Sequence, residues 1–209
     1  MIWVVIVIVV VIVLLLLWLV AMFNKLVRLR NRAENAWAQV DVQLRKRYDL
    51  IPNLVETVKG YAAHERETFE AVTNARVAAQ QAQGVAQQAQ AENMLTAALG
   101  RLFAVAEEYP QLRATEDFQQ LQAQLADVEQ NIAIARQVYN DTVLSYENAL
   151  ETVPTSIIAG WFNFRPREYF QTEDVTREAP RVDFGQGGGT VAPPAPPPAA
   201  PPAAEPPAS

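Results

Sequence analysis

His64 is the lone histidine of the chain and cysteine is absent, so the groups that most often carry catalysis and bind metals are nearly missing. Thiolate metal sites, cysteine nucleophiles, disulfides and lipidated cysteines are excluded at once. A carboxylate-bridged di-iron site in a helical bundle needs two Glu-x-x-His units, which one histidine cannot supply. His64-Glu65 lacks a second histidine at the zinc-peptidase spacing. A serine triad would have to pair Ser145 or Ser156 with His64, and neither serine sits in a nucleophile elbow. Glu107 and Glu108 are sequence neighbours, so on a helix they point in different directions and make a poor acid–base pair. These residues predict a non-enzymatic protein with no catalytic residue, no metal and no cofactor.

A second set of polar residues is more informative. Arg47, Asp49, Asn53, Arg76, Glu108, Arg136 and Asn140 interrupt otherwise apolar helical stretches close to prolines. Two readings follow: a buried network in which they satisfy one another and backbone groups freed at bends, or a surface for a ligand or partner. The network is the simpler expectation.

The elements that must position them begin with Ile2 to Phe23, twenty-two apolar residues without a charge. At about 1.5 Å per residue this run is roughly 33 Å long, the thickness of a bilayer's hydrocarbon core. A cleaved signal peptide would need a basic stretch before a shorter apolar core and a small-x-small site after it, and neither is present. Lys25, Arg28, Arg30 and Arg32 follow the run, which places the N-terminus outside and the rest in the cytoplasm of a single-pass protein of the inner membrane. Trp3 and Trp18 suit the two interfaces. The same four basic residues are either plain topology signals or contacts to anionic lipid headgroups; Arg45, Lys46 and Arg47, roughly 30 Å further along a continuous helix, leave the question open. Net charge is +5 over residues 24–48 and -11 beyond them, within an overall -6, so bulk attraction to nucleic acid is excluded.

Past the anchor the pattern is helical. Leu26, Leu29, Ala33, Trp37, Val40, Leu44, Tyr48 and Ile51 recur at spacings of three and four and predict a long helix continuous with the anchor. Pro52 should bend the chain or restart the helix, and Gly60 should allow close packing or mark a kink. Residues 77–93, rich in alanine and glutamine and poor in large apolar side chains, read as a helix end and a connection. A third helix carries Leu95, Leu99 and Leu102 up to Pro110. A fourth starts at Thr115, whose hydroxyl should cap it, and runs to Pro154 with a stripe from Phe118 to Leu150. Thr155 or Ser156 should cap a short helix ended by Gly160. No stretch before residue 160 alternates like a strand.

The expected fold is therefore all-α: an N-terminal transmembrane helix over 1–23, an antiparallel bundle of about four long helices over 24–160, an aromatic segment over 161–184, and a disordered Gly/Pro/Ala-rich tail over 185–209. The tail holds nine of the fourteen prolines and should act as an extended spacer or as bait for a proline-binding domain. Trp161, Phe162, Phe164, Tyr169 and Phe170 should pack on the bundle, with the membrane interface or a partner as alternatives.

The run Arg45-Lys46-Arg47-Tyr48-Asp49-Leu50-Ile51-Pro52-Asn53-Leu54-Val55-Glu56, with Asn31-Arg32 and Trp37 before it and Gly60-Tyr61 and His64-Glu65 after it, resembles the signature of the LemA family. Ala75-Arg76, then Glu108-Tyr109-Pro110 with Leu112, then Ala135-Arg136 with Tyr139-Asn140, and the aromatic close from Trp161-Phe162 to Tyr169-Phe170 are similar to the family's later motifs in the same order. The resemblance covers roughly residues 1–184, and the stretch around Leu50 to Leu54 is specific to the family. Glu147-Asn148 departs slightly from the expected Tyr-Asn-like polarity. The resemblance implies a single N-terminal span, a helical bundle and a bacterial origin. It implies no settled activity, although one branch of the family takes part in building magnetosome membranes.

Taken together, residues and resemblance lead to an expected role as a non-catalytic scaffold on the cytoplasmic face. Such a scaffold would assemble with itself as a homo-oligomer or with other membrane-associated proteins, held to the lipid bilayer by its first helix. The alternatives are a lipid-organising or membrane-remodelling protein that uses the basic first helix and the aromatic segment, and, more weakly, a small-ligand receptor.

Overall fold

The computed structural model describes residues 1–171; the proposed spacer tail and the end of the aromatic segment lie outside them. Six helices follow in order: α1 (Ile2–Lys59), α2 (Arg66–Gln81), α3 (Val85–Glu107), α4 (Pro110–Arg113), α5 (Glu116–Glu151) and α6 (Thr155–Trp161). No strand occurs among the described residues.

Helix α1 is one unbroken element of 58 residues, about 87 Å long. Its first part is the only helix among the described residues long and apolar enough to cross a membrane, and none of its most apolar window is buried against the rest of the chain. The later part carries a buried face on which Leu26, Ala33, Val40, Arg47 and Leu54 recur every seven residues, with Leu44 and Ile51 between them and Val58 after them. Helix α5 answers with the same period: Phe118, Leu125, Ile132, Tyr139 and Tyr146 are all buried. The two run antiparallel, so that Trp37 meets Tyr139 with ring centroids 5.3 Å apart, and Leu26 shares a cluster with Ala149.

Helices α2 and α3 form a hairpin that completes four antiparallel helices around the membrane-distal part of the core. Gly84, at φ +83, makes their turn in a conformation that a side chain would strain. Membrane-ward of this hairpin α1 and α5 continue as a pair, with residues 164–171 laid along them.

Several expectations are corrected. The connection between the second and third helices is only Ala82 to Gly84, and residues 85–93 are the first turns of α3, buried through Gln88, Ala89, Ala91 and Glu92 rather than through large apolar side chains. Thr115 stands at the α5 N-cap but its hydroxyl makes no cap; it donates back to the Leu112 carbonyl at 2.7 Å. Thr155 likewise turns its hydroxyl back, to the carbonyls of Ala149 and Thr152, and α6 passes Gly160 by one residue. That helix ends with Asn163 left-handed and the Phe164 amide donating to the Ala159 carbonyl, a Schellman-type stop. Gly60 is the C-cap of α1, and a Cβ there would meet only carbonyls of the helix's own last turn.

Pro52 neither stops nor restarts α1. A proline lacks the amide that would donate to the carbonyl four residues earlier, here that of Tyr48. Arg76 on α2 takes over this bond: its Nε donates to the Tyr48 carbonyl at 2.8 Å. The helix can therefore run through the proline because a neighbouring helix supplies the missing donor. Arg76→Ala is expected to destabilise the chain by about 1–2 kcal/mol, and adding Pro52→Ala, which restores an amide at that position, should recover much of the loss. Denaturant unfolding of the single and double variants in detergent checks this.

Candidate functional site

Arg47 occupies a core position of α1, where leucine, alanine and valine stand one and two heptads away. Its side chain is 1% exposed. Leaving such a charge unpaired in the interior would cost several kcal/mol, and three partners converge on it. Nη1 donates to Glu92 Oε2 on α3 at 2.8 Å; Nη2 donates to Thr96 Oγ1 at 2.8 Å and reaches Glu129 Oε1 on α5 at 2.7 Å. Glu92 is also 1% exposed. Its second oxygen accepts the Tyr48 hydroxyl and a bond from Gln88 Nε2 at 3.0 Å; Gln88 Nε2 also lies 2.8 Å from the Tyr48 hydroxyl and 3.1 Å from the Ala79 carbonyl. One layer of polar groups thus ties α1, α2, α3 and α5 together.

Electrostatics follow from burial. The Tyr48 hydroxyl is pushed above its ordinary range, first by burial and then by the Glu92 carboxylate it donates to. Arg136, on α5 near this layer, has its pKa lowered by burial, opposed by the charges of Glu92 and Glu129. Two arginines and two glutamates make the layer close to neutral.

A second arrangement continues membrane-ward. The Arg136 guanidinium stacks 4.4 Å from the centroid of the Phe170 ring. Asn140 holds the backbone of the same residue at both ends: Oδ1 accepts the Phe170 amide at 2.9 Å and Nδ2 donates to its carbonyl at 3.2 Å. The Tyr139 hydroxyl donates to the Glu168 carbonyl at 2.8 Å, that of Tyr169 donates to Glu147 at 2.5 Å, and Arg167 pairs with Glu34 at 2.5 Å. Phe170 is buried beside Trp37. Residues 164–171 of the aromatic segment therefore pack on the bundle, as a strap that α5 grips, whereas Trp161, expected to pack there too, is 72% exposed.

Of the seven polar residues singled out by sequence, Arg47, Arg76, Arg136 and Asn140 join these two arrangements. Asp49, Asn53 and Glu108 are exposed and belong to neither. Glu92, Gln88, Thr96 and Glu129 were not singled out. A signal existed for the first two: counting back from Leu102, Leu99 and Leu95 by three and four lands on Glu92 and Gln88, so the buried stripe of α3 continues in polar residues. Burial of Arg47 excludes it from lipid contact, while Arg45 and Lys46 are exposed. Lys25, Arg28 and Arg32 are also exposed, Arg30 lies 5.6 Å over the Phe164 ring, and Trp3 and Trp18 face outward along the apolar run.

A cleft of about 490 Å³ opens beside the polar layer, lined by Arg47, Thr96, Leu99, Phe103, Leu125 and Glu129 among others. Among the described residues no group of three or more His, Asp or Glu side chains is placed to hold a metal ion.

These features define an all-α bundle carried on a long apolar N-terminal helix, with an ion-paired layer in its core. The family model for the LemA family matches residues 36–184, and the chain belongs to that family. It is 25% identical over 178 residues to magnetosome protein MamQ of Magnetospirillum gryphiswaldense, in an alignment covering 73% of this chain and 65% of that protein. It is also 34% identical over 74 residues to two MamQ proteins of Paramagnetospirillum magneticum, covering 35% of this chain and 27% of each. The chain thus spans less than two thirds of the length of these relatives.

Removing the Glu92 carboxylate strands Arg47, the Tyr48 hydroxyl and Gln88 together. Glu92→Ala is expected to cost about 3–5 kcal/mol, against less than about 0.5 kcal/mol for exposed Asp49→Ala, read by urea denaturation of the full chain in detergent.

Because the raised Tyr48 pKa keeps the neutral phenol in the folded state, its contribution is fully present below the ordinary pKa of 10.0. It is lost as pH rises above that value, and burial of Tyr139 and Tyr146 acts in the same direction. Stability should therefore fall on the alkaline side, with a shallower slope in Tyr48→Phe, measured as the denaturation midpoint against pH.

Proposed function

We propose that this protein is a non-catalytic, membrane-anchored scaffold that assembles with copies of itself through the α1–α5 pair, on the cytoplasmic side of the membrane. The observation that carries this reading is a groove of about 370 Å³ running between the two helices, lined by Ala38, Gln39, Val42 and Gln43 of α1 and by Asn131, Ile134, Ala135 and Val138 of α5. None of these side chains is charged. Val42, Ile134 and Val138 are half or more exposed or close to it, and Gln43 Oε1 is buried without a protein donor. The strap of residues 164–171 covers another side of the pair.

The apolar first helix supports the reading in a second way. Anchors hold every copy at one height and in one orientation, so the same groove on two copies meets face to face, and confinement to a plane raises effective concentration. A second α1–α5 pair would turn the two-helix section into a four-helix section, which is the arrangement the membrane-distal half already has. The basic residues after the apolar run support the cytoplasmic placement. The similarity to proteins named for the magnetosome supports a role at a membrane.

A second reading, lipid organisation by the basic start of α1, is favoured by one observation: Lys25, Arg28 and Arg32 are exposed within about three turns of the end of the apolar run.

The absence of native cysteine makes the test clean. Val138→Cys and Ile134→Cys, placed singly in the full chain and oxidised in native membranes, are expected to give a disulfide-linked dimer. Gln119→Cys, exposed on the far part of α5, serves as the control. Cross-linking in the groove no stronger than at the control would refute assembly by this face.

A further inference from the structure

Helix α6 has one face turned to the bundle and one turned away from it. Ile158 and Ala159 are buried in a cluster with Leu26 and Ala149, against which Leu19, Met22, Phe23, Leu29, Leu150 and Phe164 also pack. The other face carries Val153, just before the helix, then Ile157 and Trp161. Ile157 and Trp161 stand four apart and so share one side of the helix; with Val153 ahead of them the three are 52%, 72% and 71% exposed. Phe162 continues the patch at 51% exposure while its ring lies 4.8 Å from that of Phe23.

The height of this patch is set by its contacts. Phe23 is the last residue of the apolar run, and the run matches the hydrocarbon thickness to within a few ångströms. Leu26 lies about 4.5 Å further along the axis, inside the headgroup layer, which is about 5–7 Å deep on each side. Since α6 packs on Leu26 and its neighbours down to Leu19, it sits at the boundary between headgroups and acyl chains. Water-exposed aliphatic and aromatic side chains are costly, but at this depth they are in their preferred surroundings, with tryptophan favoured at the interface. Positive charge flanks the patch: Lys25, Arg28 and Arg32 on α1, and Arg165 just after the helix, are exposed.

We propose that α6 is a second membrane contact, lying in the bilayer interface with Val153, Ile157, Trp161 and Phe162 inserted among the lipids. The occupant of the exposed face is lipid because the face is continuous with the membrane span itself, through Phe23 and Leu19. Together the span and α6 hold the foot of the bundle at two points, so that the α1–α5 pair cannot turn freely about the axis of α1. The contact does not depend on assembly through the α1–α5 groove: either can fail while the other stands, since cross-linking reads one and depth reads the other.

The test uses the full chain with single cysteines at Val153, Ile157 or Trp161, spin-labelled and reconstituted into vesicles of phosphatidylcholine and phosphatidylglycerol. Leu15→Cys inside the span and Gln124→Cys on the membrane-distal part of α5 are the references. Relaxation by oxygen against that by a water-soluble nickel complex reports depth. Labels at 153, 157 and 161 are expected to favour oxygen, on the side of the Leu15 reference. Values equal to those at Gln124 would overturn the proposal. So would shielding from both relaxants with spin–spin broadening, which would mean that a second copy covers the face. The three positions are exposed, so labelling leaves the core intact, and agreement between at least two of them guards against a local disturbance at Trp161.

Discussion

The rest of the bundle depends on one constraint: the guanidinium of Arg47 lies where the packing of α1 asks for a leucine or valine. A buried cation must be matched within hydrogen-bonding distance, and only one relative placement of the helices brings Glu92, Thr96 and Glu129 to it. Slipping α3 by one turn would leave apolar contacts almost as good, since leucines and alanines follow one another along its buried face, but would strand the charge. Such a residue gives little net stability compared with a leucine and excludes alternative registers instead. Tyr48 extends the same restraint to α2, through its hydroxyl by way of Gln88 and through its carbonyl by way of Arg76.

That carbonyl shows how two motifs far apart in the chain form one device. Pro52 removes a donor, and Arg76 restores it from another helix. Continuity of α1 through the proline is thus a tertiary property. The same division of labour recurs at the membrane-ward end, where Asn140 and Arg136 treat Phe170 as a ligand, one gripping its backbone and the other its ring. Arginine and asparagine are suited to this because each can satisfy backbone or aromatic groups that no helix partner reaches.

The parts of the architecture that repeat were legible in the sequence: the apolar run, the stripes of α1 and α5, and the stop at Pro154 all follow from local periodicity. What failed did so where a local rule was overruled at a distance. Residues 85–93 carry few large apolar side chains and so read as a connection, whereas Gln88 and Glu92 are buried through hydrogen bonds. Pro52 reads as a break from its own helix alone, because the donor it lacks comes from α2. Thr115 stands at the cap position and Thr155 one residue past it, behind Pro154, and each hydroxyl donates to a carbonyl behind it. Four of the seven polar site residues proved to be bound into the core or the strap. Asp49 and Asn53 stand beside Pro52 in sequence but on the outer face of α1, and Glu108 is the exposed C-cap of α3; proximity along a helix says little about which side a residue faces.

The unbroken course of α1 makes the bilayer part of the bundle's mechanics. A single rod passes from the apolar run to the far end of the core without a joint, and some 50 Å of it lies beyond Phe23. Spans adjust to membrane thickness by tilting, ordinarily by about 20°, and a rod of that reach would carry its tip about 17 Å sideways for such a tilt. A small change in lipid length at one end is therefore amplified into a lever stroke at the other.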